Sequence, residues 1–191
     1  MSNITIFGKG NMGNAIGENF AAAGNSVQYI TEKDPVETIG DIVILAVPYT
    51  AAVEIAKKEK SNLEGKVVVD ITNPLNFETW DELVVPSDSS AAAQISELLP
   101  DSKVVKAFNT TFAGTLSSKV VGTDTKTTVL MASDHDDAKT DISHALNGSG
   151  LNVVDAGSLK RAREMEALGF LQMTLAASEK IGWNGGFGVI K

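Results

Sequence analysis

Ile4-Thr5-Ile6-Phe7-Gly8-Lys9-Gly10-Asn11-Met12-Gly13 runs from an apolar, β-prone tetrapeptide straight into a G-x-G-x-x-G loop, and Asn14 to Ala23 continues as an alanine-rich segment. The order matters physically. Gly8 allows a tight turn out of a strand, Gly10 lets a pyrophosphate approach the backbone, and Gly13 lets the following helix pack close to the sheet. The free N–H groups and positive dipole end at the helix start then hold the phosphates. Glycine-rich turns are common in isolation; here the loop follows a strand and precedes a helix, the context that a dinucleotide site requires. Gly8, Lys9, Gly10, Asn11, Met12 and Gly13 are therefore candidate cofactor-binding residues.

Working outward, the spacing predicts a helix from about Asn11 to Ala23, with Gly24 and Asn25 as its stop, and a second strand over Val27–Thr31. Only nine residues separate Thr31 from the next strand, Asp41–Val47. A βαβ crossover alone needs at least about 10–12 residues, so the third strand and helix of the usual doubly wound half are missing. Asp34–Ile39 is expected to supply a short helical turn instead. Ile42 to Val47 is apolar throughout, as a parallel strand covered on both faces should be. Further helices are predicted over Thr50–Lys60, from Ser89 or Ser90 through Leu99, over Asp134–Asn147, and from Ser158 to about Ile181. Further strands are predicted over Lys66–Ile71, Lys103–Phe108, Thr127–Ala132 and Leu151–Asp155, with a small one at Phe187–Ile190. Asn76–Asp88 shows no periodicity; Phe77 and Trp80 there either cover the site or plug the core. Asn109–Gly122, rich in Thr, Ser and Gly, reads as a loop. Strands alternating with helices make the class α/β, a doubly wound, mostly parallel sheet shortened after its second strand.

The 191 residues suit one domain, residues 1–191, with 158–191 as a C-terminal helical extension. A net charge of −8 argues against nucleic acid or an anionic membrane as partner. The absence of cysteine excludes disulfides, thiol nucleophiles and thiolate metal sites together. With no apolar run of spanning length and no leader-like start, a cytoplasmic protein is expected. His135 and His144 read as surface residues, and no ligand pattern supports a metal.

The chain resembles the NADP-dependent coenzyme F420 reductase family of dinucleotide-binding oxidoreductases, and its Rossmann-like unit is similar to that of six-transmembrane ferric reductases. The resemblance rests on Gly8 to Gly13, on Asp41-Ile42-Val43-Ile44-Leu45-Ala46-Val47-Pro48-Tyr49 and on Asp70-Ile71-Thr72-Asn73-Pro74-Leu75. It continues through Ser90-Ala91-Ala92, Val104 to Thr110, and Asp155 to Leu159 followed by Ala162-Arg163 and Glu166. It implies that Val47, Pro48, Tyr49, Asn73, Pro74 and Asn109 line the ribose and nicotinamide side of a cleft, and that the protein is a homodimer. The stripe Met165, Leu168, Leu171, Leu175 and Ala176, widened by Phe170 and Met173, agrees with burial on more than one side.

NAD or NADP is decided at the end of the second strand. Glu32 lies 19 residues past Gly13, near the spacing of an acid that binds a ribose 2′-OH. In register with the family, however, Thr31 takes that place, and one residue of offset turns a side chain to the other face. Thr31, Lys33 and Lys9 would then surround a 2′-phosphate, which favours NADP over NAD. No general acid or base stands out: Tyr49 lacks a lysine four residues on. Hydride transfer between NADPH and F420, a flavin or a similar small acceptor needs alignment more than a protein acid. The competing reading is a non-catalytic NAD(P)-binding sensor or partner protein.

Overall fold

The computed structural model describes residues 1–190. A seven-stranded sheet is its centre, built from β1 (Asn3–Phe7), β2 (Ser26–Ile30), β3 (Ile42–Leu45), β4 (Val67–Asp70), β5 (Lys103–Ala107), β8 (Thr128–Ala132) and β9 (Asn152–Gly157). The order is β2-β1-β3-β4-β5-β8-β9, parallel throughout except for the β5–β8 pair. Alternate residues of each strand feed opposite faces, as the period of two demands. Ile4, Ile6, Ile42, Ile44, Val67, Val69 and Val105 join one core layer with Ile16 and Phe20 of α1 (Asn11–Ala22) and Ile142 of α6 (Asp136–Ala145). Phe7, Val43, Leu45, Val68 and Val104 join the other with Ala52 and Ala56 of α2 (Tyr49–Lys58) and Ile95 of α4 (Ala91–Leu98).

β2 is an edge strand, so the third strand and crossover helix are indeed absent from the sheet. The residues after it do not form the expected helical turn. Asp34 closes a turn through its N–H to the Thr31 carbonyl, and the chain then runs irregularly to β3, tucking Val36 and Ile39 onto the second core layer. Gly40 N–H donates to the Thr5 hydroxyl at 2.8 Å, fastening this shortcut to β1.

Three further expectations are corrected. The stretch 109–122 holds a helix, α5 (Ala113–Ser118), because Leu116 is wholly buried and Asn19 of α1 donates its amide to the Leu116 carbonyl at 3.0 Å. Its composition reads as loop; its packing against α1 decides otherwise. A two-residue hairpin follows, β6 (Val120–Val121) with β7 (Thr125–Lys126). Secondly, the helix after β9 begins as a 3₁₀ turn (Leu159–Arg161) and continues as α7 (Ala162–Ala177), ending before Ile181. Glu179 takes φ +59°, and Lys180 N–H donates back to the Leu175 carbonyl, a left-handed helix stop. Residues 178–190 are therefore irregular, not helical, and Phe187–Ile190 adds no strand. Thirdly, α2 stops at Lys58, and a separate four-residue turn, α3 (Lys60–Leu63), follows.

Candidate active site

At the C-terminal end of β1 the Gly8–Gly13 loop has the geometry its sequence demands. Gly8 sits at φ +100°, and a Cβ there would lie 2.3 Å from the Ala46 carbonyl oxygen. A Cβ on Gly13 would lie 2.4 Å from the Gly8 oxygen, so two glycines are needed for the protein's own packing. Gly10 is different. An added Cβ would meet no protein atom within 4 Å, so the open side of that loop is free for a ligand. No side chain caps α1 at Gly10, which leaves the first helical N–H groups available to an anion. This donor set fits a pyrophosphate.

Two cavities flank the loop and share Val47 and Pro48, so they form the two halves of one groove. The first, about 630 Å³, lies over the ends of β3, β4 and β5, where α/β sheets bind ligands. Asn11, Met12, Tyr49, Asn73, Asn109, Phe77, Phe112, Met173 and Trp183 are among its walls. Among the described residues no Asp, Glu, Lys, Arg or His lines it. Tyr49 donates its hydroxyl to Gln94, and burial, then the negative charges of Glu166 and Asp70, hold its phenol above the usual range. Phe77 is half exposed beside the cavity and packs edge-on against Trp80 at 5.5 Å, so it covers the site rather than plugging the core. The irregular C-terminal segment closes the far side: Trp183 packs on Phe112 at 5.0 Å, and Asn184 abuts Gly114. The sequence offered only glycines as a signal for that return.

The second cavity, about 830 Å³, is lined by Thr31, Glu32, Lys33 and Asp34 at the end of β2 and by Glu54, Lys58 and Glu59 of and after α2. Lys33 is exposed on its rim. Lys9 is exposed too, with its ammonium 5.3 Å from the centre of the Tyr29 ring.

Asn73 and Asn109 clasp each other. Asn73 Nδ2 donates to the Asn109 carbonyl and Asn109 Nδ2 to Asn73 Oδ1, both at 2.9 Å, and Asn109 Nδ2 also donates to the Met165 carbonyl. α7 presses on this clasp through Gly169, where a Cβ would lie 2.3 Å from Asn73 Oδ1. Pro74, expected beside them, is buried and outside the cavity lining; its carbonyl accepts from Val84 N–H at 2.7 Å. His135, just before α6, and His144, on it, are exposed and line neither cavity.

Beneath the clasp lies a buried charge cluster that sequence reading did not assign a role. Lys106, wholly inaccessible on β5, places Nζ 2.7 Å from Asp70 Oδ2 and 2.8 Å from Glu166 Oε1. Asp70 stands directly opposite Lys106 in the β4–β5 register. Lys106 also donates to the Thr72 carbonyl, while Thr72 N–H donates to Asp70 Oδ1 at 2.9 Å. The loop carrying Asn73 is thus held by both main-chain groups of Thr72. Glu166 of α7 accepts from the N–H groups of Ala91 and Ala92, serving as the anion at the start of α4. Burial pushes its carboxyl up, against the pull of Lys106 and with the push of Asp70. The available signal was a charge at the end of two otherwise apolar strands, Val67-Val68-Val69-Asp70 and Val104-Val105-Lys106.

The chain is similar to several known proteins. Residues 30–74 match the family described as NADP oxidoreductase, coenzyme F420-dependent. The F420-dependent NADP reductase of Methanocaldococcus jannaschii is 32% identical over 133 residues, a match taking in 68% of this chain and 59% of that protein's length. The enzyme of the same name from Methanothermobacter marburgensis is 27% identical over 194 residues, covering 89% and 82%. Among solved structures, a hypothetical protein of Sinorhizobium meliloti is 29% identical over 83% of this chain and 86% of its own, with a TM-score of 0.70. A protein of Arthrobacter sp. FB24, provisionally named an F420-dependent NADP-reductase, superposes over the whole of both chains with a TM-score of 0.83 at 23% identity, which speaks for the fold. On these matches the chain is similar to the coenzyme F420-dependent NADP oxidoreductases, and it spans 59% of the length of the Methanocaldococcus jannaschii enzyme.

Proposed function

We propose that the protein is an NADP-dependent oxidoreductase that moves a hydride between NADPH and a flat redox ring of the F420 or flavin class. The observation that carries this reading is the groove itself. A glycine loop with uncapped helix N–H groups opens at its middle, and an apolar, aromatic cavity without charged side chains among the described residues lies at one end. NADPH, when bound, supplies the hydride, and the acceptor ring takes it. The chain's own residues then have positioning tasks. Gly8, Lys9, Gly10, Asn11, Met12 and Gly13 receive the pyrophosphate. Val47, Pro48 and Tyr49 form the ridge between the two halves. Asn73 and Asn109 offer the carboxamide and ribose a rigid polar edge, since each already orients the other. Thr31, Lys33 and Lys9 face the 2′-phosphate. Phe77, Phe112 and Trp183 exclude water and bound the space for the acceptor. The names of the relatives favour catalysis over a silent sensor. A homodimer belongs to the same reading, because Leu171 on α7 is half exposed while Met165 and Ala176 of the same helix are buried.

The test is loss of NADPH absorbance with reduced-cofactor excess and F420 or FMN as acceptor. Turnover with a ring acceptor is expected. Asn73→Ala is expected to lower kcat about 10- to 100-fold with a smaller change in KM, as misplacement of bound partners does. Cofactor binding with no turnover on either acceptor would return the sensor reading.

A further inference from the structure

The end of β2 holds an anion of the protein's own. Thr31 donates twice to a single carboxylate oxygen, Asp34 Oδ2: its main-chain N–H at 2.8 Å and its hydroxyl at 2.6 Å. Asp34 is exposed, and these two hydrogen bonds, with the nearby charge of Lys9, hold its carboxyl below the usual range. The same two donors are ones a phosphate oxygen would take, because an N–H and an O–H aimed at one point make an anion clasp whichever anion fills it.

The surrounding charges do not compensate. Glu54 is paired with Lys57 and Glu59 with Lys58, which leaves Glu32 and Asp34 against Lys33 at the mouth of this cavity. Lys9 meanwhile rests over Tyr29. A 2′-phosphate arriving here meets a carboxylate already seated on Thr31.

We propose that Asp34 is a specificity-determining residue that competes with the cofactor's 2′-phosphate for Thr31, so that NADP binds only by displacing it. The inference rests on the dinucleotide reading above and adds to it which residue sets the balance between NADP and NAD. Asp34 holds the preference for NADP down; it does not create it. The displaced carboxylate swings into water at little cost, because its side chain is already at the surface.

Calorimetric titration of the full chain with NADP⁺, NAD⁺, 2′,5′-ADP and 5′-ADP tests this on the wild type, Asp34→Asn, Asp34→Ala and Thr31→Val. Removing the charge in either Asp34 variant is expected to tighten NADP⁺ and 2′,5′-ADP about tenfold, as relief of a like-charge contact does, with NAD⁺ and 5′-ADP within about twofold. Thr31→Val is expected to weaken NADP⁺ and 2′,5′-ADP alone. Equal shifts for both cofactors, an unchanged ratio, or loss of NAD⁺ in Asp34→Asn would each overturn the proposal, the last by making Asp34 a ribose ligand. Those results leave the dinucleotide site standing. Failure of the wild type to bind even 5′-ADP and NAD⁺ would instead remove the dinucleotide reading, and this inference with it. Unchanged melting temperatures in the Asp34 variants separate these outcomes from misfolding.

Discussion

Lys106→Met is expected to destabilise the protein by about 3–5 kcal/mol, the usual cost of stranding buried carboxylates without their cation. The substitution keeps volume and removes the ammonium, leaving Asp70 and Glu166 facing each other across the space Nζ filled. It also unfastens the Thr72 carbonyl, so the Asn73 loop should loosen with the core. For a chain of this size the loss corresponds to a fall in melting temperature of roughly 10 °C. Lys106→Met with Glu166→Gln is expected to recover part of that loss, since only one charge is then stranded and the glutamine can still accept from Ala91 N–H. Urea melts of the single and double variants measure both, and a double variant no more stable than the single one would show that repulsion between the carboxylates is not the cause.

The pH dependence has a definite sign. Glu166 has its carboxyl raised by burial, so its contribution to stability is full below the unfolded glutamate range and is lost as pH rises through the raised folded value. Glu166→Gln is therefore expected to gain stability relative to the wild type as pH rises. Asp137 and Asp155, hydrogen-bonded by Lys103 and Lys139, have lowered values; their contribution is present above the unfolded range and is lost as pH falls. The comparison is therefore made between variant and wild type at each pH.

Gly8→Ala is expected to abolish measurable cofactor binding and to destabilise the fold together. Its φ of +100° costs an alanine about 1–3 kcal/mol, and the new Cβ would overlap the Ala46 carbonyl, so the loop or β3 must shift. Gly10→Ala supplies the contrast. The protein has room for that Cβ, so the melting temperature should hold while NADPH affinity falls by roughly tenfold or more, the effect of crowding a close approach. Fluorescence titration of NADPH beside thermal melts reads both. Gly10→Ala binding NADPH like the wild type would place the pyrophosphate elsewhere.

What was legible and what was not follows from the range of each interaction. The glycine loop, the apolar parallel strands, the missing third strand and a serine cap for α4 are set by conformations and burial patterns within a few residues and can be read from the chain in order, the structure choosing Ser90 over Ser89 as the cap. Helix α5 was not, because its Thr, Ser and Gly residues are helical only through Leu116 packing against α1. The long terminal helix was overextended because Glu179 adopts its left-handed stop without a glycine to announce it.

The sequence alone determined that this is a doubly wound α/β chain whose first strand passes through a glycine loop into its first helix, since strand–glycine loop–helix is a local arrangement. Only the tertiary structure decided how the rest of the cleft is held. Asn73 meets Asn109 across 36 residues, Asp70 meets Lys106 across 36, and Ala91 meets Glu166 across 75. Such partners share no spacing rule. They come together only when β4 and β5 fall into register and α7 folds back over them, because hydrogen bonds and ion pairs depend on distance in space and not along the chain.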